Sequence, residues 1–203
     1  MRRTPYLISS LLPFLLAMAT AAAAQEPRSW FVEQGYVPPA GGRIVACHGY
    51  GCMRRTVLPL EEALLRQAGA IMRTGRSSPA AERQALGEVV KLYTSYLARR
   101  FGSVPDAPRS PPSLSGVSGQ MDCVDEAANT TSLLLVLQDQ GLLVHHEVER
   151  PQSRGVFIDG RYPHTTAIIA EKRSHAEWAV DPWAKAPGER PDILPLERWR
   201  QDS

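Results

Sequence analysis

Gly119-Gln120-Met121-Asp122-Cys123-Val124-Asp125-Glu126-Ala127-Ala128 marks the point where a polar Pro/Ser/Gly loop gives way to a strongly apolar helix, with a cysteine at the junction. Asp122 is an N-cap by type, and Asp125 three residues on forms a capping box with Asp in place of Glu, so Cys123 becomes the first helical residue. Beyond it Ala127, Ala128, Thr131 and Leu133 through Leu137 spread around every side as far as about Gln140, and Gly141 follows. That distribution belongs to a helix enclosed by other elements.

Upstream, Leu60, Leu64, Ala68 and Ile71 form one apolar stripe that stops at Gly75. A second helix is predicted from about Pro79 to Arg100, with proline and Glu82 in or near its first turn, Arg99 and Arg100 in its last, and Gly102 just past the end. Its face of Leu86, Val89, Val90, Tyr93, Tyr96 and Leu97 is core, and the two helices read as an α-hairpin. Downstream the period changes to that of strands: Leu142–Glu149, Gly155–Asp159, His164–Glu171 and Ala176–Asp181. The order is that of one α+β domain over 25–203, with a helical part (25–104), a Pro/Ser/Gly loop (105–119), a core (120–183) and a surface tail (184–203).

Residues 1–24 have the form of a cleaved signal peptide: Arg2 and Arg3, an apolar run from Tyr6 to Met18, then Ala22-Ala23-Ala24. Losing two positive charges with it lowers the formal net charge from +2 to 0. No basic stripe for nucleic acid or anionic lipid remains, so neither is expected as a partner after cleavage. A periplasmic or secreted location is oxidising, and the three cysteines there leave one unpaired. The close pair Cys47 and Cys52, with Gly49 and Gly51 between them, is the natural disulfide. A metal site on Cys47, His48 and Cys52 lacks a fourth ligand, so no metal or cofactor is expected.

Cys123 is then the free thiol. The positive end of a helix dipole favours thiolate, but Asp122, Asp125 and Glu126 crowd the same turn and oppose it, so a histidine is needed. If the last two strands turn at Lys172-Arg173, His164 falls opposite Asp181, on one face and close enough to pair. His145 and His146 are second choices for the base, having no carboxylate partner that the sequence places.

A cysteine opening a buried helix, a histidine heading one strand and Val180-Asp181-Pro182-Trp183 ending the next resemble the core of the transglutaminase-like superfamily, in particular its bacterial cysteine proteinase branch. The resemblance covers about Gly116 to Trp183. It implies a papain-like core with Cys123 as nucleophile, His164 as base and Asp181 as its orienter. Gln120 is an expected side-chain donor to an oxyanion hole, beside the Cys123 amide. Val124 and Thr165-Thr166 replace aromatic residues of the animal transglutaminases, which favours hydrolysis over cross-linking. The expectation is therefore a peptidase or amidase for a peptide, protein or peptidoglycan-peptide substrate, set against a periplasmic module that keeps the fold and only binds.

Overall fold

The computed structural model describes residues 26–102, 104–155 and 163–201. The proposed leader, and all of the predicted strand Gly155–Asp159 beyond Gly155 itself, lie outside them. In chain order the elements are α1 (Pro27–Glu33), β1 (Arg43–His48), β2 (Arg54–Pro59), α2 (Glu62–Thr74), α3 (Pro79–Phe101), α4 (Cys123–Asp139), β3 (His146–Arg154), β4 (His164–Glu171), β5 (Glu177–Asp181), β6 (Asp192–Pro195) and α5 (Leu196–Gln201). A short 3₁₀ turn at Pro112–Leu114 interrupts the loop before α4. The class is α+β, with one two-stranded sheet, β1-β2, and one four-stranded antiparallel sheet in the order β3-β4-β5-β6.

The helical hairpin forms as expected. Ser78 caps α3 by accepting from the Ala81 amide at 3.1 Å, and all six predicted core positions from Leu86 to Leu97 are buried. Gly75, at the end of α2, has an ordinary negative φ of −88°. Its need for glycine comes from packing: a Cβ there would lie 2.8 Å from the Glu82 Cα and 2.9 Å from the Ala81 carbonyl oxygen. The start of α3 presses that closely on the end of α2.

Around α4 the structure supplies the neighbours that its apolar sides require. It packs on β4 and β3 on one side and on β1 on another. Leu134, Leu135 and Leu137 are 0–1% exposed, and burying each such side chain contributes about 1.5–3 kcal/mol. Β-strand β3 begins at His146, four residues later than the periodicity predicts, because the preceding amides go elsewhere. Glu82 of α3 accepts from the backbone of Val144 (2.7 Å), His145 (3.0 Å) and His146 (2.9 Å). The same carboxylate takes the His146 Nδ1 at 2.8 Å, so His146 does have an acidic partner.

Three features depart from the sequence expectation. The stretch around Cys47 and Cys52 is a β-hairpin, β1-β2, so the first part of the chain is not purely helical. The last segment is no surface tail: β6 adds to the sheet beside β5, and Leu196 and Trp199 of α5 are 2% exposed. The β4-β5 register also differs. Ala167 faces Val180 and Ile168 faces Ala179, which places Thr166 rather than His164 level with Asp181. The turn uses all four residues 172–175, with His175 left-handed (φ 57°), rather than closing at Lys172-Arg173. This shifts the register by two, and because side chains alternate with period two, His164 and Asp181 stay on one face and meet diagonally.

Candidate functional site

The entry to α4 is built as its sequence predicts. Asp122 Oδ1 accepts from the amides of Val124 (3.1 Å) and Asp125 (2.9 Å), and Asp125 reaches back to the Asp122 amide (3.3 Å). Cys123 is the first helical residue. Its own amide is the first-turn N–H that the cap does not take, as an oxyanion donor requires.

Cys47 and Cys52 are joined in a disulfide, and Cys123 is free and buried. The disulfide loop does more than staple a hairpin. Residues 49–52 all hold positive φ, from 56° to 83°, and the amides of Tyr50, Gly51 and Cys52 converge on one anion-binding concavity while that of Gly49 goes to the Gln120 carbonyl. The occupants are the first acids of α4: Gly51 N–H donates to Asp122 Oδ2 (2.8 Å), Tyr50 N–H to Asp125 Oδ2 (2.8 Å) and Cys52 N–H to Asp125 Oδ1 (2.6 Å). Asn129 adds a second tie, accepting from the Cys47 amide and donating to its carbonyl, both at 2.8 Å. Cys47, Cys52 and Asp125 stand close enough to share a metal ion. Their chemistry does not fit one, since the sulfurs are bonded to each other and both carboxylate oxygens are taken by amides. His48 is likewise committed, with Nε2 on Thr56 Oγ1 (2.9 Å) and Nδ1 accepting from the Gly119 amide (3.2 Å).

His164 begins β4 and Asp181 ends β5, and they pair at 2.6 Å between Nε2 and Oδ2. An ionised carboxylate only accepts, so the pair places the ring proton on Nε2 and leaves a lone pair on Nδ1. Nδ1 is buried and has no hydrogen-bond partner. The Cys123 sulfur lies 3.9 Å from the carbonyl of Pro163, immediately before the histidine, and the amide of Thr165, immediately after it, points at the same sulfur. Thiol, imidazole and carboxylate are thus gathered at one end of the sheet.

The thiol is not preactivated. Burial pushes it up to about 11, against the Thr165 amide, and Asp122, Glu126 and Asp181 add to the rise. The dipole of α4 does not prevail over this combination. Glu126 is itself buried, with Oε2 lacking a partner. Burial first, then Asp106, Asp181, Asp125 and Asp122, raise its carboxyl well above the usual range. Asp106 rises to about 7, mainly through burial, although the Met121 and Ala107 amides oppose the change.

Both shifts bear on stability. A raised folded-state value means that the native protein holds protons which the unfolded chain has released above about pH 4. The contribution of Asp106 is then fully present at the acidic end and is lost as pH rises from about 4 through about 7, and Glu126 contributes in the same direction. Glu126→Gln removes one source of this decline. It is expected to raise the urea midpoint at pH 8 relative to the wild type while leaving the midpoint at pH 4 nearly unchanged; equal effects at both pH values would contradict the assignment.

Gln120 does not fill the role expected of it. Its side chain is fully buried, with Nε2 donating to the carbonyls of Pro105 (2.9 Å) and Val104 (3.5 Å) and Oε1 accepting from Ala107 (3.0 Å). Its donors are spent on the loop before α4, and none is left for an oxyanion. His145 and His146 also stand apart from the thiol, on Arg76 and Glu82 respectively.

Two participants were not foreseen. Trp199 Nε1 donates to Asp181 Oδ2 at 2.7 Å, the same oxygen that receives His164. With Trp183 it brackets the imidazole, the ring centres lying 5.5 and 4.4 Å away. Ser110 is the other: its Oγ accepts from Trp183 Nε1 (2.7 Å) and donates to the Met121 carbonyl (3.0 Å), linking the Pro-rich loop to both sides of the site. Hydrophobic periodicity carries no signal for either contact. No helix among the described residues is long and apolar enough to cross a membrane. No protein-family model, curated protein or solved structure matches the chain, and its functional reading therefore rests on this geometry and chemistry.

Proposed function

We propose that the chain is an exported cysteine hydrolase with a papain-like, transglutaminase-like core that cleaves amide bonds through an acyl-enzyme. The carrying observation is the His164–Asp181 pair, with a buried, unpartnered Nδ1 and the Cys123 sulfur against the backbone on both sides of that histidine. Nδ1 takes the thiol proton as sulfur attacks the amide carbonyl, and returns it to the leaving amine as the C–N bond breaks. Water, deprotonated by the same nitrogen, then adds to the thioester and expels the sulfur. Asp181 holds the tautomer and stabilises the imidazolium, and Trp199 acts as a positioning residue by fixing Asp181. The Cys123 amide faces the developing oxyanion at the helix N-terminus. The leader-like start and the disulfide support an oxidising, extracytoplasmic setting, where the substrate is a peptide, protein or peptidoglycan peptide.

The raised thiol favours a second reading, a module that binds a peptide without cleaving it. Iodoacetamide at pH 7 separates the two. As a hydrolase, the protein incorporates one label, on Cys123, at a rate that depends on His164, and Cys123→Ala abolishes both labelling and amide hydrolysis. Full hydrolytic activity in Cys123→Ala would overturn the proposal, and a folded wild type left unlabelled would support binding alone.

A further inference from the structure

We propose that Arg109 is an anion-recognition residue of this site, selecting amide substrates that carry a carboxylate near the bond to be cleaved. The inference rests on the reading of Cys123 and His164 given above. Arg109 and Ser110 are consecutive non-glycine residues with left-handed backbone, φ 66° and 48°, a conformation that persists where surrounding contacts over-determine it. Three hydrogen bonds do so here. The Arg109 amide donates to the Trp183 carbonyl at 2.9 Å, Trp183 Nε1 donates to Ser110 Oγ, and Ser110 Oγ donates to the Met121 carbonyl.

The loop is thereby fastened both to the residue two before the thiol and to the indole packed on the imidazole, and the buried Ser110 leaves Arg109 exposed. Its guanidinium carbon lies 5.9 Å from the centre of the Trp183 ring, which is 4.4 Å from that of His164. A positive charge therefore stands within roughly 10 Å of the imidazole, about one Debye length at 0.1 M salt.

The carboxylates nearest the thiol have other partners: Asp122 and Asp125 accept from the disulfide-loop amides, Glu126 is buried, and Asp181 is taken by His164 and Trp199. Among the described residues no carboxylate forms an ion pair with Arg109. Arg154, over the second tryptophan at 4.6 Å, differs in donating to the Trp199 carbonyl within the fold. A guanidinium with free N–H donors in a planar fork matches a carboxylate in two-point contact.

The test compares iodoacetate with its neutral counterpart iodoacetamide on the full chain. Each transfers its CH₂ carbon to the Cys123 sulfur, iodide leaves, and the thiol proton passes to base, so changes in thiol acidity cancel in the ratio of the two rates. Arg109→Gln is expected to lower the iodoacetate-to-iodoacetamide ratio by about three- to tenfold. Arg109→Lys, which keeps the charge but not the planar fork, should give a ratio between those of the wild type and Arg109→Gln, and 1 M salt should depress that of the wild type. An unchanged ratio in Arg109→Gln, with both reagents labelling Cys123, overturns the role of Arg109 alone. Failure of both reagents to label Cys123 in the folded wild type removes the nucleophile and this inference with it.

Discussion

His164→Ala is expected to lower turnover of an activated ester at pH 7 by about 10²–10⁴-fold, the usual contribution of a positioned base. The chemical reason is specific to this site. A thiol pushed up to about 11 exists as thiolate in only about one molecule in 10⁴ at pH 7, so the reaction depends on an acceptor that takes the proton as the bond forms. Without the imidazole, activity should climb close to tenfold per pH unit toward pH 10 as free thiolate forms. The wild type, in which the imidazole takes the proton, should not need that climb. A variant with the wild-type pH profile would show that the imidazole is not the base.

The second large effect concerns stability. Asp125→Ala is expected to cost about 3–5 kcal/mol, read as a fall in the urea midpoint. The side chain is 0% exposed and accepts from the amides of Tyr50, Cys52 and Asp122. Its removal leaves buried donors unpaired at the junction of the disulfide loop and α4. The loop residues Tyr50 and Cys52 hold left-handed backbone and would lose the carboxylate that gathers their amides. A loss below about 1 kcal/mol would mean that the disulfide and Asn129 hold the loop without Asp125.

These two residues also show where sequence reasoning succeeds. Asp122, Cys123 and Asp125 were legible because a capping box is local, set by residue types three apart. The pairing of Cys47 with Cys52 was legible for the same reason. Pairing His164 with Asp181 needed only the alternation of side chains across two strands. The turn is centred one residue further along than supposed, but the resulting two-residue slip does not change the face. A one-residue slip would have pointed them apart.

What remained hidden depends on tertiary docking. Trp199 reaches Asp181 only because β6 pairs with β5 and carries α5 back over the sheet, and its Pro-rich approach resembles a surface tail in composition. The β1-β2 hairpin escaped because its strands lack clean alternation: Ala46, Cys47 and His48 are buried in succession. Gln120 was assigned by its position before the cysteine, whereas its amide is occupied by the carbonyls of the preceding loop. Even the hostile electrostatics of the helix entry needed coordinates to resolve. Asp122 and Asp125 face amides, while burial raises the Glu126 carboxyl well above the usual range.

The most direct measurement is the intact mass of the protein quenched during turnover of an activated ester, followed by peptide mapping. A cysteine hydrolase accumulates a transient acyl group on the peptide containing Cys123, absent in Cys123→Ala and persistent in a His164→Ala protein acylated at high pH. Ester turnover with Cys123 unmodified at every quench time, and undiminished in Cys123→Ala, would contradict the account.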